Sequence, residues 1–155
     1  MKDYYLAYGS NLSLEQMKYR CKDSELIGTT ILEDFQLVFK GRGNGYAYLT
    51  VEENVGSYVP IGIYKISYMD RLRLNRYEGY PESYEIKYHD IVVDGVKQKA
   101  MIYIMNSNMN YHLPTKEYMD ICKRGYEDFG FNEELIAGAL STTKEKMGKQ
   151  LIKKR

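Results

Sequence analysis

The sequence predicts an α+β protein built on a small mixed or antiparallel β-barrel with short helices. Short β-rich segments separated by glycine-containing turns occupy most of the chain before residue 106, and helical spacing dominates only the last third. The regular βαβ alternation that a doubly wound parallel sheet requires is missing. A strongly bent or barrel-like sheet therefore fits best. We expect one domain over residues 1–141 and a basic C-terminal tail over residues 142–155.

The N-terminal segment predicts a strand, a bend and a short helix in that order. Residues Asp3–Tyr8 are apolar enough for a central strand, and Gly9–Asn11 has the composition of a turn. Ser13 and Gln16 form a Ser-x-x-Gln capping box, which predicts a helix over Leu14–Cys21.

Three further strands and a helix are predicted up to the middle of the chain. A β-rich stretch at residues 29–41 ends at the turn "GRGNG", and residues 46–51 and 57–67 read as two more strands. Pro60 favours an edge or an irregular start for the second of these. Asp70 is a candidate N-cap for the helix "RLRLNRY", with Leu72 and Leu74 among its apolar positions.

The second half begins with the clearest hairpin signal of the chain. Residues 83–93 and 96–105 are β-rich and flank Asp94-Gly95, a pair typical of tight hairpin turns. Residues 115–130 and 132–143 then show helical spacing. We expect the basic segment that follows to be a frayed helix end or a disordered tail rather than a nucleic-acid-binding arm.

Composition excludes several classes of function. Lys and Arg number 22 against 21 for Asp and Glu, so a nucleic-acid partner is not expected. Neither an apolar run of 18 residues nor the apolar centre of a signal peptide is found, so we expect a cytoplasmic protein without membrane contact. Cys21 and Cys122 are too few for a disulfide framework and predict two reduced thiols. Seventeen tyrosines, without any tryptophan, suit strands and core edges, and a few could line a pocket.

No motif for a protein nucleophile, a metal or a phosphate is convincing. Ser10 follows a strand, but Tyr-Gly-Ser-Asn lacks the second glycine of a nucleophile elbow. A serine hydrolase needs a histidine base, and His89 lies in a predicted strand while His112 lies in a predicted loop. Two isolated histidines and scattered carboxylates predict no metal site, and "GRGNG" lacks the spacing of a phosphate loop.

Glu78 is the candidate for proton transfer. The residue follows a predicted helix, and Tyr77, Tyr80 and Tyr84 are close to it in sequence. A carboxylate surrounded by aromatic rings loses solvation, and its pKa rises toward the range useful for a general base. The alternative, a solvated surface glutamate, stays open on this argument.

Three segments together resemble the γ-glutamylcyclotransferase family. They are "YYLAYGSNL", "RYEGYPESY" and "PTKEYMDICKRGYEDFGFNEELI", and the resemblance in order and spacing spans roughly residues 3–141. It implies a compact α+β fold around a closed or nearly closed barrel, and no cofactor. The implied activity converts a γ-glutamyl amide into 5-oxoproline and releases the free amine or amino acid.

The resemblance also implies site residues. The catalytic carboxylate falls on Glu78, which would act first as base and then as acid, and Tyr84 and Tyr118 are expected to contact the substrate. The substrate-binding segment corresponds to Tyr5, Leu6, Ala7, Tyr8, Gly9 and Ser10. Backbone amides of this bend are expected to hold a carboxylate or an oxyanion, and Asn11 is assigned to the turn itself.

Two questions stay open at the level of sequence. A non-catalytic module that binds a γ-glutamyl or amino-acid metabolite is the alternative function. The substrate could be a γ-glutamyl amino acid, a γ-glutamyl amine or a larger compound, and simpler substrates are expected ahead of glutathione. We expect the loops "GRGNG" and "NSNMNYHLP" to form the leaving-group side of the pocket. The protein is expected to be a monomer or a homodimer.

Overall fold

A computed structural model describes residues 2–153. It contains six strands, four α-helices and one 3₁₀ turn. In chain order these are β1 (Lys2–Ala7), the 3₁₀ turn (Ser10–Leu12), α1 (Leu14–Arg20), β2 (Glu25–Gly41), β3 (Ala47–Ser67), α2 (Tyr68–Glu78), β4 (Tyr84–Val93), β5 (Val96–Met105), β6 (Asn110–Tyr111), α3 (Lys116–Phe129) and α4 (Glu134–Lys153).

The strands form one mixed sheet in the order β4-β5-β1-β3-β2-β6. Only the β1–β5 pair is parallel among the described strands, and the other four pairs are antiparallel. The predicted α+β class is confirmed, but the sheet is open where a closed or nearly closed barrel was implied. Its edge strands β4 and β6 do not pair, and β6 has only two residues, too few to close a barrel.

The two strands predicted over residues 46–51 and 57–67 are one strand of 21 residues. Glu52 and Glu53 stay in the ladder because they pair with Gln36 and Phe35 of β2, and pairing resumes where Tyr58 faces Glu33. Residues 54–57 between these pairs form an irregularity in which Gly56 has φ 91°. The Gly56 N–H also donates to Asp34 Oδ1 at 3.0 Å. Local composition predicted a break, whereas pairing with the long strand β2 on both sides of residues 54–57 keeps the segment within one strand.

Pro60 lies inside β3, not at an edge strand or at a strand start. It pairs with Ile31 of β2 on one side, whereas pairing with β1 on the other side ends at Gly62. On the side of β3 that faces β1, Pro60 therefore lies beyond the last paired residue. A missing backbone N–H costs no hydrogen bond between strands there.

The helix α2 begins earlier than predicted and has a different cap. Ser67 is the N-cap, and its side chain accepts from the Asp70 N–H at 3.1 Å. Asp70 is the third helical residue, and its carboxylate accepts from the Ser67 N–H, which completes a capping box. Leu74 is fully buried, but Leu72 is exposed.

The Asp94-Gly95 hairpin is confirmed. Asp94 has φ 51° and Gly95 has φ 77°, so both central residues are left-handed, as a type I′ turn requires. The turn joins β4 and β5 in register from Val93–Val96 outward. The "GRGNG" segment likewise joins β2 to β3, as predicted.

The basic segment expected as a frayed helix end or a disordered tail continues α4 as far as Lys153, and residues 154–155 lie outside the described residues. Thr143 is fully buried, and its Oγ1 accepts from the Phe39 N–H at 2.9 Å. Lys146 Nζ lies 3.2 Å from Glu52, and Gln150 bonds to the backbone of Tyr111. These side chains are three to four residues apart, so one face of the helix packs on the sheet.

Glycines allow α3 to approach the N-terminal bend closely. A Cβ at Gly125 would lie 2.6 Å from the Ser13 nitrogen, and one at Gly62 would lie 2.8 Å from a Leu12 methyl carbon. Thr115 caps the start of α3, and Gly130 ends it with φ 68°. This packing fixes the bend that follows β1 between the sheet and α3. Among the described helices, none is both long and apolar enough to cross a membrane.

Candidate functional site

A cavity of about 380 Å³ lies where the bend after β1 meets the end of α2 and the sheet. Within the described chain nineteen residues line it, and eight of these are tyrosines. The tyrosine content of the sequence is thus partly explained by an aromatic pocket wall. A volume of this size suits a small metabolite.

The bend after β1 contributes Tyr8, Gly9, Ser10 and Asn11 to the cavity. Leu12 N–H is the first amide to bond within the turn, to the Gly9 carbonyl at 3.0 Å. The N–H groups of Gly9 and Ser10 donate to no acceptor among residues 2–153. Two unpaired amides at a bend can bind an anionic oxygen.

Glu78 is the last residue of α2 and lies in the same cavity as the bend. Gly79 follows with φ 68° and ψ 41°, which ends the helix and leaves the Glu78 side chain at its C-terminus. Burial raises the pKa of Glu78 to about 7, while the Arg20 guanidinium acts to lower it. The residue is half-buried as a whole, and its carboxylate can exchange protons near neutral pH.

Asn11 connects Glu78 to the bend, which corrects its assignment to the turn alone. Its Nδ2 donates to the Tyr5 hydroxyl at 2.8 Å and to Glu78 Oε1 at 3.5 Å. Its Oδ1 accepts from Arg20. The Asn11 amide therefore contacts the Glu78 carboxylate directly. Because its Nδ2 and its Oδ1 are both hydrogen-bonded, the orientation of the amide is fixed.

Arg20 is a site residue that the sequence did not reveal. Its guanidinium donates to Ser10 Oγ at 3.2 Å as well as to Asn11, and lies 3.5 Å above the Tyr77 ring. Nothing in the sequence signals this position, because Arg20 lies in the last turn of a short helix, where a basic residue is ordinary.

Two predicted substrate contacts are anchored on one residue of β3. Leu49 N–H donates to the Tyr118 hydroxyl at 3.0 Å, and the Tyr84 hydroxyl donates to the Leu49 carbonyl at 2.9 Å. A Cβ at Gly9 would lie 3.4 Å from the Tyr118 hydroxyl, so this hydroxyl faces the bend. Tyr84 and Tyr118 thus form a rigid wall of the cavity.

The tyrosine hydroxyls differ in the hydrogen bonds left to them. Tyr8 donates to the Tyr103 carbonyl at 2.6 Å, and Tyr103 donates to Asn75 at 2.6 Å. Tyr5 instead accepts from Asn11, which leaves its own hydrogen for a ligand. Burial raises the pKa of Tyr5 and Tyr8 above the ordinary value, so both stay protonated as donors.

Leu6 and Ala7, expected in the substrate-binding segment, do not line the cavity. Both are buried in the core. Side chains alternate along a strand, so Leu6 points to the face opposite Tyr5, and Ala7 carries only a methyl group. The other predicted residues, Tyr5, Tyr8, Gly9, Ser10, Glu78, Tyr84 and Tyr118, are all brought together around the cavity.

Residues from both loops expected on the leaving-group side line the cavity as well. Gly41 and Arg42 come from "GRGNG", and Met109 comes from "NSNMNYHLP". Tyr46 and Tyr48, at the start of the next strand, join them.

Other chemistries are not assembled at this site. The two histidines of the chain lie outside the cavity lining; His89 packs against the Phe35 ring, and Ser10 Oγ is bonded by Arg20. The described residues contain no group of three His, Cys, Asp or Glu side chains that could hold a metal ion. Among the described residues, the cavity lining offers one carboxylate, one guanidinium, one side-chain amide, hydroxyls and backbone amides.

The sequence of residues 5–121 matches the family described as "Gamma-glutamyl cyclotransferase, AIG2-like". No curated protein matches the chain significantly.

Solved structures share the fold. One named "Gamma-glutamyl cyclotransferase" is 21% identical with a TM-score of 0.74, and the match covers 90% of this chain and 86% of that one. An uncharacterised Homo sapiens protein is 21% identical with a TM-score of 0.72, covering 89% and 86%. YkqA from Bacillus subtilis is 18% identical with a TM-score of 0.72, covering 92% of this chain and 54% of YkqA.

Proposed function

The chain belongs to the gamma-glutamyl cyclotransferase, AIG2-like family, and from this premise we propose that it converts a γ-glutamyl amide into 5-oxoproline and a free amine or amino acid. One observation carries the proposal. A carboxylate whose pKa is about 7 shares a cavity of about 380 Å³ with a bend that has unpaired amides. That combination suits a reaction in which the substrate brings its own nucleophile.

The proposed reaction is an intramolecular acyl transfer. The substrate's α-amine attacks its γ-carbonyl carbon, a new C–N bond closes a five-membered ring, and the original amide C–N bond breaks. Well-oriented intramolecular reactions reach effective molarities of about 10⁵ M or more, so the enzyme mainly has to fold the substrate correctly. A protein nucleophile is unnecessary.

Glu78 serves as base and then as acid in this mechanism. Its ionised carboxylate takes the proton that the attacking nitrogen loses, and the resulting carboxylic acid returns that proton to the departing nitrogen. A pKa of about 7 supports both steps, because the two protonation states are close in free energy near neutral pH. Asn11 holds the carboxylate in place through its 3.5 Å contact.

The amides of Gly9 and Ser10 are proposed to bind the tetrahedral oxyanion or the substrate's α-carboxylate. Both residues line the cavity, and both N–H groups are unpaired among the described residues. Loss of one such preorganised donor typically costs about 3 kcal/mol in the barrier. Tyr5 and Tyr118 supply a hydroxyl or a wall beside this position.

The test is Glu78→Gln, which keeps the size of the side chain and removes the base. We expect 5-oxoproline release from γ-glutamyl compounds to fall below detection, while folding and ligand-induced thermal shifts persist. Glu82→Gln is the matched control, since Glu82 is exposed and lies outside the cavity lining only four residues away. Near-normal turnover by Glu78→Gln would overturn the mechanism.

The same assay separates the alternative function. A module that only binds γ-glutamyl metabolites would show ligand-induced thermal shifts in the unmodified protein without any 5-oxoproline. The family membership and the carboxylate at the cavity favour catalysis, because binding of an anionic ligand alone is weakened by a negative charge in the pocket.

A further inference from the structure

The cavity has a buried end and an exposed end. Ser10, Asn11 and Tyr84 at one end are almost inaccessible, whereas Tyr46 is 68% exposed and Tyr48 is 43% exposed. The reaction proposed above takes place beside Gly9 and Glu78. With the glutamyl unit folded there, the leaving amine extends toward the exposed end, which we call the mouth (Arg42, Tyr46, Tyr48 and Met109). Arg42, Tyr46 and Tyr48 are exposed, and Met109 is the buried member of this group.

Strand register brings Arg42 close to Tyr46 and Met109. Gly41 pairs with Ala47 across the β2–β3 hairpin and with Asn110 of β6 on its other side. The next residue, Arg42, therefore lies between Tyr46 and Met109. A Cβ at Gly41 would be 2.1 Å from the Tyr46 carbonyl oxygen, so a glycine is needed just before Arg42.

Hydrogen bonds fix the loop that carries Arg42. Gly45 N–H donates to the Leu113 carbonyl at 2.8 Å, and Leu113 N–H donates to Asn44 Oδ1 at 2.8 Å. Tyr46 N–H closes the turn by donating to the Gly43 carbonyl at 3.0 Å. The backbone at the mouth is thus preorganised, which lowers the entropic cost of binding a ligand there.

The positive charge of Arg42 at the mouth has no carboxylate partner among the described residues. Arg42 and Glu78 are the two charged residues among those lining the cavity. Arg71, Arg73 and Arg124 each have a carboxylate within 4 Å, but none of the described carboxylates lies that close to Arg42. An unpaired guanidinium that lines the same cavity as aromatic rings and a thioether is suited to an anion attached to an apolar group.

We propose that Arg42 binds a carboxylate carried by the leaving amine, so that the substrates are γ-glutamyl amino acids with apolar side chains rather than γ-glutamyl amines. The inference rests on the proposed function. The carboxylate of the departing amino acid pairs with Arg42, and its side chain packs on Tyr46, Tyr48 and Met109. A polyamine leaving group has no carboxylate, and Arg42 repels its positive charge.

The test compares two substrates that differ only in that carboxylate, γ-glutamyl-leucine and γ-glutamyl-isoamylamine. We expect the unmodified protein to prefer γ-glutamyl-leucine at least about tenfold in kcat/KM for 5-oxoproline release. In Arg42→Gln the ratio should fall to about one or two, and added salt should reduce it in the unmodified protein. Arg124→Gln is the control, because Arg124 is exposed and outside the cavity lining.

A binding measurement keeps this inference separate from the proposed function. The dissociation constants of both compounds are measured for Glu78→Gln and for Glu78→Gln combined with Arg42→Gln, so that turnover is not required. A preference for γ-glutamyl-leucine that disappears with Arg42 supports the assignment even if neither compound is cyclised. An equal preference in both variants, or none in the first, overturns it.

Discussion

At the scale of single residues, the protonation of Glu78 is set by two opposing influences. Burial favours the neutral acid and raises the pKa to about 7, while the Arg20 guanidinium favours the carboxylate. Arg20 does not line the cavity but reaches it through Asn11, whose amide contacts Glu78. Arg20 is therefore a positioning residue, and Glu78 is the group proposed to touch the substrate.

Arg20→Met should change the pH dependence of the reaction. Removing the positive charge raises the pKa of Glu78 further, so the base is protonated over a wider range. The acid limb of the kcat/KM profile, expected near pH 7 for the unmodified protein, should move to higher pH. Initial rates of 5-oxoproline release between pH 5.5 and 9 would measure this, in steps of about half a unit.

Arg20→Lys separates charge from geometry in the same experiment. Lysine keeps the positive charge but cannot reproduce the planar guanidinium that bonds Ser10 and Asn11 and stacks on Tyr77. We expect a profile close to that of the unmodified protein with a lower kcat. An unshifted acid limb in Arg20→Met would show that Arg20 does not influence Glu78.

At the scale of elements, the site depends on how closely α3 approaches the bend after β1. Gly125 allows this contact, because a Cβ there would overlap with the backbone of Leu12 and Ser13. Tyr118 lies on the same helix, and its hydroxyl is 3.4 Å from the place that a Cβ of Gly9 would occupy. The distance between helix and bend therefore sets the width of the pocket as well as the packing of the core.

Gly125→Ala should destabilise the protein although alanine is the better helix former. Overpacking of this kind typically costs about 1–3 kcal/mol, and the displaced helix should also lower kcat/KM for 5-oxoproline release. Gly138→Ala in α4 is the matched control. A Cβ there meets nothing within 4 Å, so we expect a gain of about 1 kcal/mol. Urea unfolding curves measure both, and equal stabilisation would refute the close contact.

At the scale of the whole molecule, the site reduces the stability of the fold. The pKa of Glu78 is about 7 in the folded chain, against 4.5 for an ordinary glutamate. Below pH 4.5 the side chain is neutral in both states, and its burial costs no ionisation energy. Above pH 7 it is charged in both, and the folded state is penalised.

Glu78→Gln should therefore raise the free energy of unfolding in a pH-dependent way. The gain should be near zero at pH 4 and on the order of 3 kcal/mol at pH 8, with the change falling between pH 4.5 and 7. Denaturant unfolding at both pH values measures it, with Glu82→Gln as the exposed control. If the increase in the free energy of unfolding does not vary with pH, the ionised Glu78 carboxylate does not destabilise the folded state.

Local signals in the sequence were sufficient for the elements that depend on local geometry. The Asp94-Gly95 turn forms because both residues tolerate left-handed backbone, and Ser13 caps α1 by accepting from Gln16 N–H. Pairing between segments that are distant in the sequence could not be predicted from such local signals. The continuity of β3 and the helical continuation of α4 depend on partners distant in sequence, such as β2 and Thr143's contact with Phe39.

The sequence by itself determined the class of the fold, the bend at Gly9 and the placement of Glu78 at the end of a helix, because turns, helix ends and strand composition act over a few residues. Only the tertiary structure decided that the sheet stays open, that Leu6 and Ala7 face the core, and that Asn11 and Arg20 hold Glu78 beside that bend. The contact between Asn11 and Glu78 joins residues almost 70 positions apart. The energy of such contacts, and the burial of the groups that make them, depend on three-dimensional packing that no local pattern encodes.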